Sequence, residues 1–142
     1  MSRPPSIVRF ERLYLASFAV GLASWAVNWN VLSTRLAADP RTAPFIWILP
    51  VSLLLGVAIS LCLWFFVARR GSVIAKWVLV VLTVLAALRF LLNLPAVARG
   101  AVPVGDVALS AVTLLLGLVA AFQLFRPDAR AWFGEVPAGD VE

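Results

Sequence analysis

Arg89 and Asn93 lie one turn apart near the end of a long apolar run, Asp106 opens the next run, and Asn28 stands toward the end of the first. Residues four apart share a helix face, so Arg89 and Asn93 project together. A guanidinium, a carboxylate and two amides at one level can satisfy each other as a structural knot. Asp106 would then cap its helix, and Arg89 would pair or snorkel. Alternatively they hold an anionic headgroup, a quinone or a small solute at an outer mouth, because charged groups inside a membrane are costly without a partner. A proton or ion path calls for a carboxylate near mid-membrane, whereas Glu11 and Asp106 both sit at the ends of apolar runs.

Other chemistry is hard to assemble. The chain has no histidine, which removes the commonest metal and haem ligand and the usual general base. Its one cysteine, Cys62, lies in an apolar run with no partner for a disulfide. No nucleophile elbow, zinc-protease helix, phosphate-binding loop or paired-cysteine motif occurs. The expectation is a protein that is not an enzyme, with no catalytic residue, no metal ligand and no cofactor beyond a bound lipid or quinone.

The elements that carry these residues follow from composition. Of 142 residues 63% are hydrophobic and 13% charged, far from the roughly 45–50% and 25% of soluble domains. That much apolar surface needs a bilayer as solvent. Four runs are long enough to cross it: 11–34, 45–67, 73–94 and 105–125. Short connections make neighbouring helices antiparallel, so the fold class is all-α, a four-helix up-down-up-down transmembrane bundle forming one domain. The first run exceeds the apolar core of a signal peptide and reads as a signal anchor. Eight of the twelve basic residues fall on the side of the termini and the middle connection, and Arg35, Arg41 and Arg99 fall on the other. The positive-inside rule then puts both termini in the cytoplasm. The same placement assigns the basic charge to lipid headgroups and excludes nucleic acid as a partner.

Pro44 suits the first turn of the second helix, and Pro50 should kink that helix or split off a short interfacial segment before it. Pro95 should stop the third helix after Leu94. Pro127 should stop the fourth, leaving an interfacial turn over 127–133 and a flexible tail over 134–142. Each run carries a stripe of small and polar residues: Tyr14, Ser17, Gly21, Ser24 and Asn28; Ser52, Gly56 and Ser60; Thr83, Ala86 and Asn93; Asp106, Ser110, Thr113, Gly117 and Ala120. Such stripes hold membrane helices together, and they can also face another subunit or line a cavity. Five of the six tryptophans fall near one interface or the other as an aromatic belt; Trp25 lies deeper.

The segments Pro5-Ser6-Ile7-Val8-Arg9-Phe10-Glu11-Arg12-Leu13-Tyr14 and Phe125-Arg126-Pro127-Asp128-Ala129-Arg130-Ala131-Trp132-Phe133 resemble the ends of uncharacterised small four-span bacterial inner-membrane proteins. The resemblance implies a multi-pass protein of that membrane and carries no activity or site with it. The two ends bear mixed charge at one level, which suggests that Glu11 pairs with Arg126 or Arg130. Function is expected to be that of a non-catalytic accessory or scaffolding subunit, packed against other membrane subunits or copies of itself. The alternatives are a solute or ion pathway, and a lipid- or quinone-binding protein using Arg89, Asn93, Asp106 and Asn28.

Overall fold

The computed structural model describes residues 3–100 and 103–135. Five α-helices follow one another, α1 (Pro5–Ala38), α2 (Ile48–Ala68), α3 (Val73–Ala98), α4 (Val104–Gln123) and the short α5 (Pro127–Trp132), with a 3₁₀ turn at Ala43–Phe45 before α2. The first four are long and apolar enough to cross a membrane, and no strand occurs among the described residues. Each of the four touches its neighbour in sequence, and α4 closes the ring against α1. The fold is an all-α four-helix bundle with up-down-up-down connections. Its base is the end that holds the start of α1, the α2–α3 connection and α5. The distal end holds the other two connections.

Helix limits depart from expectation where local chemistry decides them. α1 runs 34 residues, or about 51 Å at 1.5 Å per residue, well beyond a ~30 Å hydrocarbon core. Pro50 is the third residue of α2. It falls in the first turn, where a missing N–H costs nothing, and the 3₁₀ turn is the segment split off before it. Pro95 does not stop α3. The helix continues to Ala98, and the Arg99 amide and side chain both donate to the Pro95 carbonyl, at 3.3 and 3.1 Å. Gly100, at φ 71°, is the residue that ends it, in the left-handed region glycine alone enters cheaply. Pro127 starts α5 as its first residue, and of the expected tail 134–142 only Gly134 and Glu135 lie among the described residues.

Packing concentrates at the base. Ile7 and Phe10 of α1, Val67 and Ala68 of α2, Leu79 of α3, Ala120 and Leu124 of α4, and Ala129 and Phe133 around α5 form one buried cluster. Elsewhere large apolar side chains point outward, among them Leu54, Leu55, Val81, Leu85, Leu115 and Phe122, which suits contact with lipid.

Candidate functional site

Two kinds of polar structure occur in the bundle, one sealed and one open. The sealed one is at the base. Ser72 caps α3, its hydroxyl accepting from the Ala75 amide at 3.3 Å, and this places Lys76 one turn into the helix. Lys76 is 1% exposed. Its Nζ donates to both Glu135 carboxylate oxygens, at 2.8 and 2.9 Å, between the rings of Phe125 and Phe133. A buried ammonium needs such an acid, and ring faces add to its stabilisation. Trp132 of α5 donates from its indole N–H to the Val67 carbonyl at 3.2 Å. Below it Gly71, at φ 58°, leaves so little room that an added Cβ would stand 2.6 Å from the Trp132 carbonyl oxygen. Only glycine fits there.

The charged ends do meet, although by other partners than expected. Glu11 pairs with Arg3 at 2.7 Å and Arg69 at 3.7 Å, and with neither Arg126 nor Arg130. Asp128 instead accepts the Ser6 amide at 3.1 Å, one of the free N–H groups at the start of α1. Partial burial pushes the Asp128 carboxyl up. The Ser6 hydroxyl and amide, with the amides of Asp128 and Ala129, outweigh that and hold it below the usual carboxylate range. A short helix therefore docks under α1 through a carboxylate that neutralises the positive end of α1.

The open structure lies above this floor. A cavity of about 640 Å³ extends between all four long helices, from Tyr14, Leu63 and Leu79 near the base to Val97 and Asp106 at the distal end. Most of the small and polar stripe residues border it: Ser17, Gly21 and Ser24 from α1, Ser60 from α2, Thr83, Ala86 and Asn93 from α3, Ser110, Thr113 and Gly117 from α4; Ser52 and Gly56 of α2 are exposed and do not. Outside α2 the stripes mostly face inward. Tyr14 donates to the Ser60 carbonyl at 3.1 Å and so joins α1 to α2 toward the base, and the most extensive contact is between α1 and α4. There Ser17 donates to the Thr113 carbonyl at 3.0 Å and sits 3.9 Å from the place a Gly117 Cβ would take. Between α1 and α2 the glycines make no close contact: a Cβ on Gly21 or Gly56 would meet nothing within 4 Å. A groove of about 270 Å³ opens at that gap and shares Tyr14, Gly21 and Trp25 with the cavity wall. Trp25, the deep tryptophan, is thus a cavity residue.

The four residues singled out from the sequence lie in the distal part of the bundle as two pairs, Asn28 with Asp106 and Asn93 with Arg89. Arg89, Asn93 and Asp106 border the cavity. Asn28 stands behind the wall, its amide donating to Asp106 Oδ1 at 3.0 Å and to the Ser24 carbonyl at 3.1 Å. Asn93 donates to the Arg89 carbonyl at 2.8 Å. No ion pair joins Arg89 to Asp106 among the described residues. Because α3 runs on to Ala98, Arg89 lies about 13 Å along the axis from the helix end, further than in a helix ending at Leu94. The sequence pointed to these four residues and to the stripes, but not to Lys76 and Glu135 as a pair. Lys76 near a run end looks like a solvated charge, and only the return of the chain past α5 buries it. Among the described residues no three His, Cys, Asp or Glu groups converge as a metal site would need. Comparison of the chain with protein-family models, curated proteins and solved structures returns no match.

Proposed function

We propose that this chain is a non-catalytic multi-pass protein of a bacterial cytoplasmic membrane that binds a membrane amphiphile, a lipid or a quinone, in the cavity between its helices. The observation that carries the reading is a cavity of about 640 Å³ above a close-packed floor, with Arg89 and Asp106 on its wall. Its volume falls within the ~300–1,000 Å³ of small-molecule sites, which are typically apolar with a few convergent polar groups. A bundle that needed only to pack would gain by bringing Gly21 and Gly56 against a neighbouring helix, and these glycines stand clear instead. The excess of basic residues at the base supports a cytoplasmic base, so that the cavity opens toward the outer leaflet.

Native mass spectrometry of the full chain, taken from its membrane in mild detergent, tests this. The expected spectrum carries one amphiphile per chain. Gly21→Leu, which extends a side chain into open space on the cavity wall, is expected to expel it while the protein stays folded. A chain that emerges bare, and takes up neither added phospholipid nor added quinone, removes the reading.

An accessory subunit is the second reading, and a different surface favours it. Val73, Ile74, Trp77, Val78, Val81 and Leu82 form a wholly apolar groove on the outside of α3. Such a groove suits a helix of another subunit or of a second copy. Cysteine placed at Val78 and oxidised in the native membrane is expected to cross-link to that neighbour. A chain that stays monomeric in the membrane argues for the cavity alone.

A further inference from the structure

We infer that the amphiphile's head is zwitterionic, a phosphate joined to a primary ammonium as in an ethanolamine phospholipid; the inference rests on the cavity reading above. Arg89 and Asp106 are the two charged residues on the cavity wall among the described residues, so the wall is neutral overall yet carries one charge of each sign. They are not paired with each other. Arg89 is exposed in the open cavity, and Asp106 is half-buried with the neutral Asn28 as its donor; at membrane depth a charge without a counter-charge is costly. A purely anionic head would satisfy Arg89 and set its phosphate against Asp106. A quinone would compensate neither. A zwitterion compensates both.

The chemistry near each charge agrees with that polarity. Arg89 offers a planar set of donors suited to phosphate oxygens. Asp106 is turned toward accepting: the Asn28 Nδ2 is already committed to Asp106 Oδ1 and the Ser24 carbonyl, which leaves Asp106 Oδ2 and the Asn28 carbonyl oxygen as acceptors. A primary ammonium has three N–H groups to donate to such oxygens, and a quaternary choline nitrogen has none. The apolar part of the ligand also has a way out. At the α1–α2 gap, where Gly21 and Gly56 leave open space, the groove continues from the cavity to the lipid-facing surface. An acyl chain lying there would remain in the bilayer while its head is held inside.

The test incubates the purified full chain with ethanolamine, glycerol or choline phospholipid of one acyl composition, and counts bound lipid by native mass spectrometry. The ethanolamine lipid is expected to bind about tenfold or more better than the other two, since each charged hydrogen bond is worth that much. Arg89→Leu is expected to weaken all three lipids. Asp106→Asn keeps an oxygen for Asn28, and is expected to erase the ethanolamine preference and raise glycerol-lipid binding. Equal binding of ethanolamine and glycerol lipids, unchanged by Asp106→Asn yet lost with Gly21→Leu, overturns the zwitterion while the cavity reading stands. Choline lipid binding as well as ethanolamine overturns the ammonium donor. Soluble glycerophosphoethanolamine competing as well as the lipid shows that the head alone is recognised, and overturns the role given to the groove. Failure of every amphiphile to bind removes the cavity reading itself.

Discussion

Lys76 and Arg89 lie on one helix, three turns and more apart, and meet opposite surroundings. Lys76 is enclosed by Glu135 and two phenylalanine rings at a base where every helix contributes to one buried cluster. Arg89 faces a cavity and has no carboxylate partner among the described residues. The difference lies in what the chain brings to each level. At the base it returns a fifth helix carrying Asp128, Trp132 and the approach to Glu135, and these fill the space between helix ends. Above the base it brings glycines, serines and threonines, too small to fill the same space. A base packed in this way can hold helices in register while their other halves stand apart.

The contrast can be broken most severely at the base. Glu135→Ala strands a buried ammonium and is expected to cost ~3 kcal/mol, near the lower end for broken buried pairs because Glu135 is partly exposed. Thermal unfolding in detergent measures it, and Lys76→Met in the same background is expected to recover part of the loss. Gly71→Ala combines a left-handed φ with a collision against the Trp132 carbonyl, for about 2 kcal/mol. Equal stability of that variant and wild type would mean that α5 does not dock there.

At the distal end the same kinds of change should do less to stability. Asn28→Ala removes the amide that holds Asp106 and is expected to cost about 1 kcal/mol, with a larger proportional effect on lipid retention. Gly56→Ala enters open space and is expected to shift stability by no more than ~0.5 kcal/mol. Placed beside Gly71→Ala it compares one substitution in a packed and an unpacked region.

The smallest effect is one of pH. The Asp128 carboxyl is held below its ordinary range in the fold, so its contribution is fully present above the pKa of the unfolded chain and is lost as pH falls through the folded value. Hydrogen exchange at Ser6 is expected to rise on that acidic side, and Asp128→Asn should abolish most of the pH dependence. An acid response unchanged in Asp128→Asn would place its cause elsewhere.

Much of this could be read from the residues in order. Long apolar runs with few charges have one stable environment, and short connections between them leave one simple topology. The four spans and the bundle they form were legible in this way; Arg89, Asn93 and Asp106 border one cavity, and Asn28 bonds Asp106. The sequence expectation failed in other places. It misjudged Pro95, because a proline near a helix end removes only one hydrogen bond, and the following turn re-forms around its carbonyl. It missed the Lys76–Glu135 pair because the partners are far apart in sequence, and nothing local distinguishes a buried lysine from a solvated one.

Sequence alone therefore determined the helices, their number and the faces they turn to one another, since hydrophobic length and residue size act locally along the chain. Only the tertiary structure decided whether those faces would touch. Gly117 meets Ser17 while Gly21 and Gly56 meet nothing within 4 Å, although all three stand in similar stripes. The spacing between two helices is set by everything packed at their ends, here the cluster around Phe10, Val67 and Phe133. A stripe of small residues permits close approach, and the rest of the bundle determines whether it becomes a seam or the wall of a cavity.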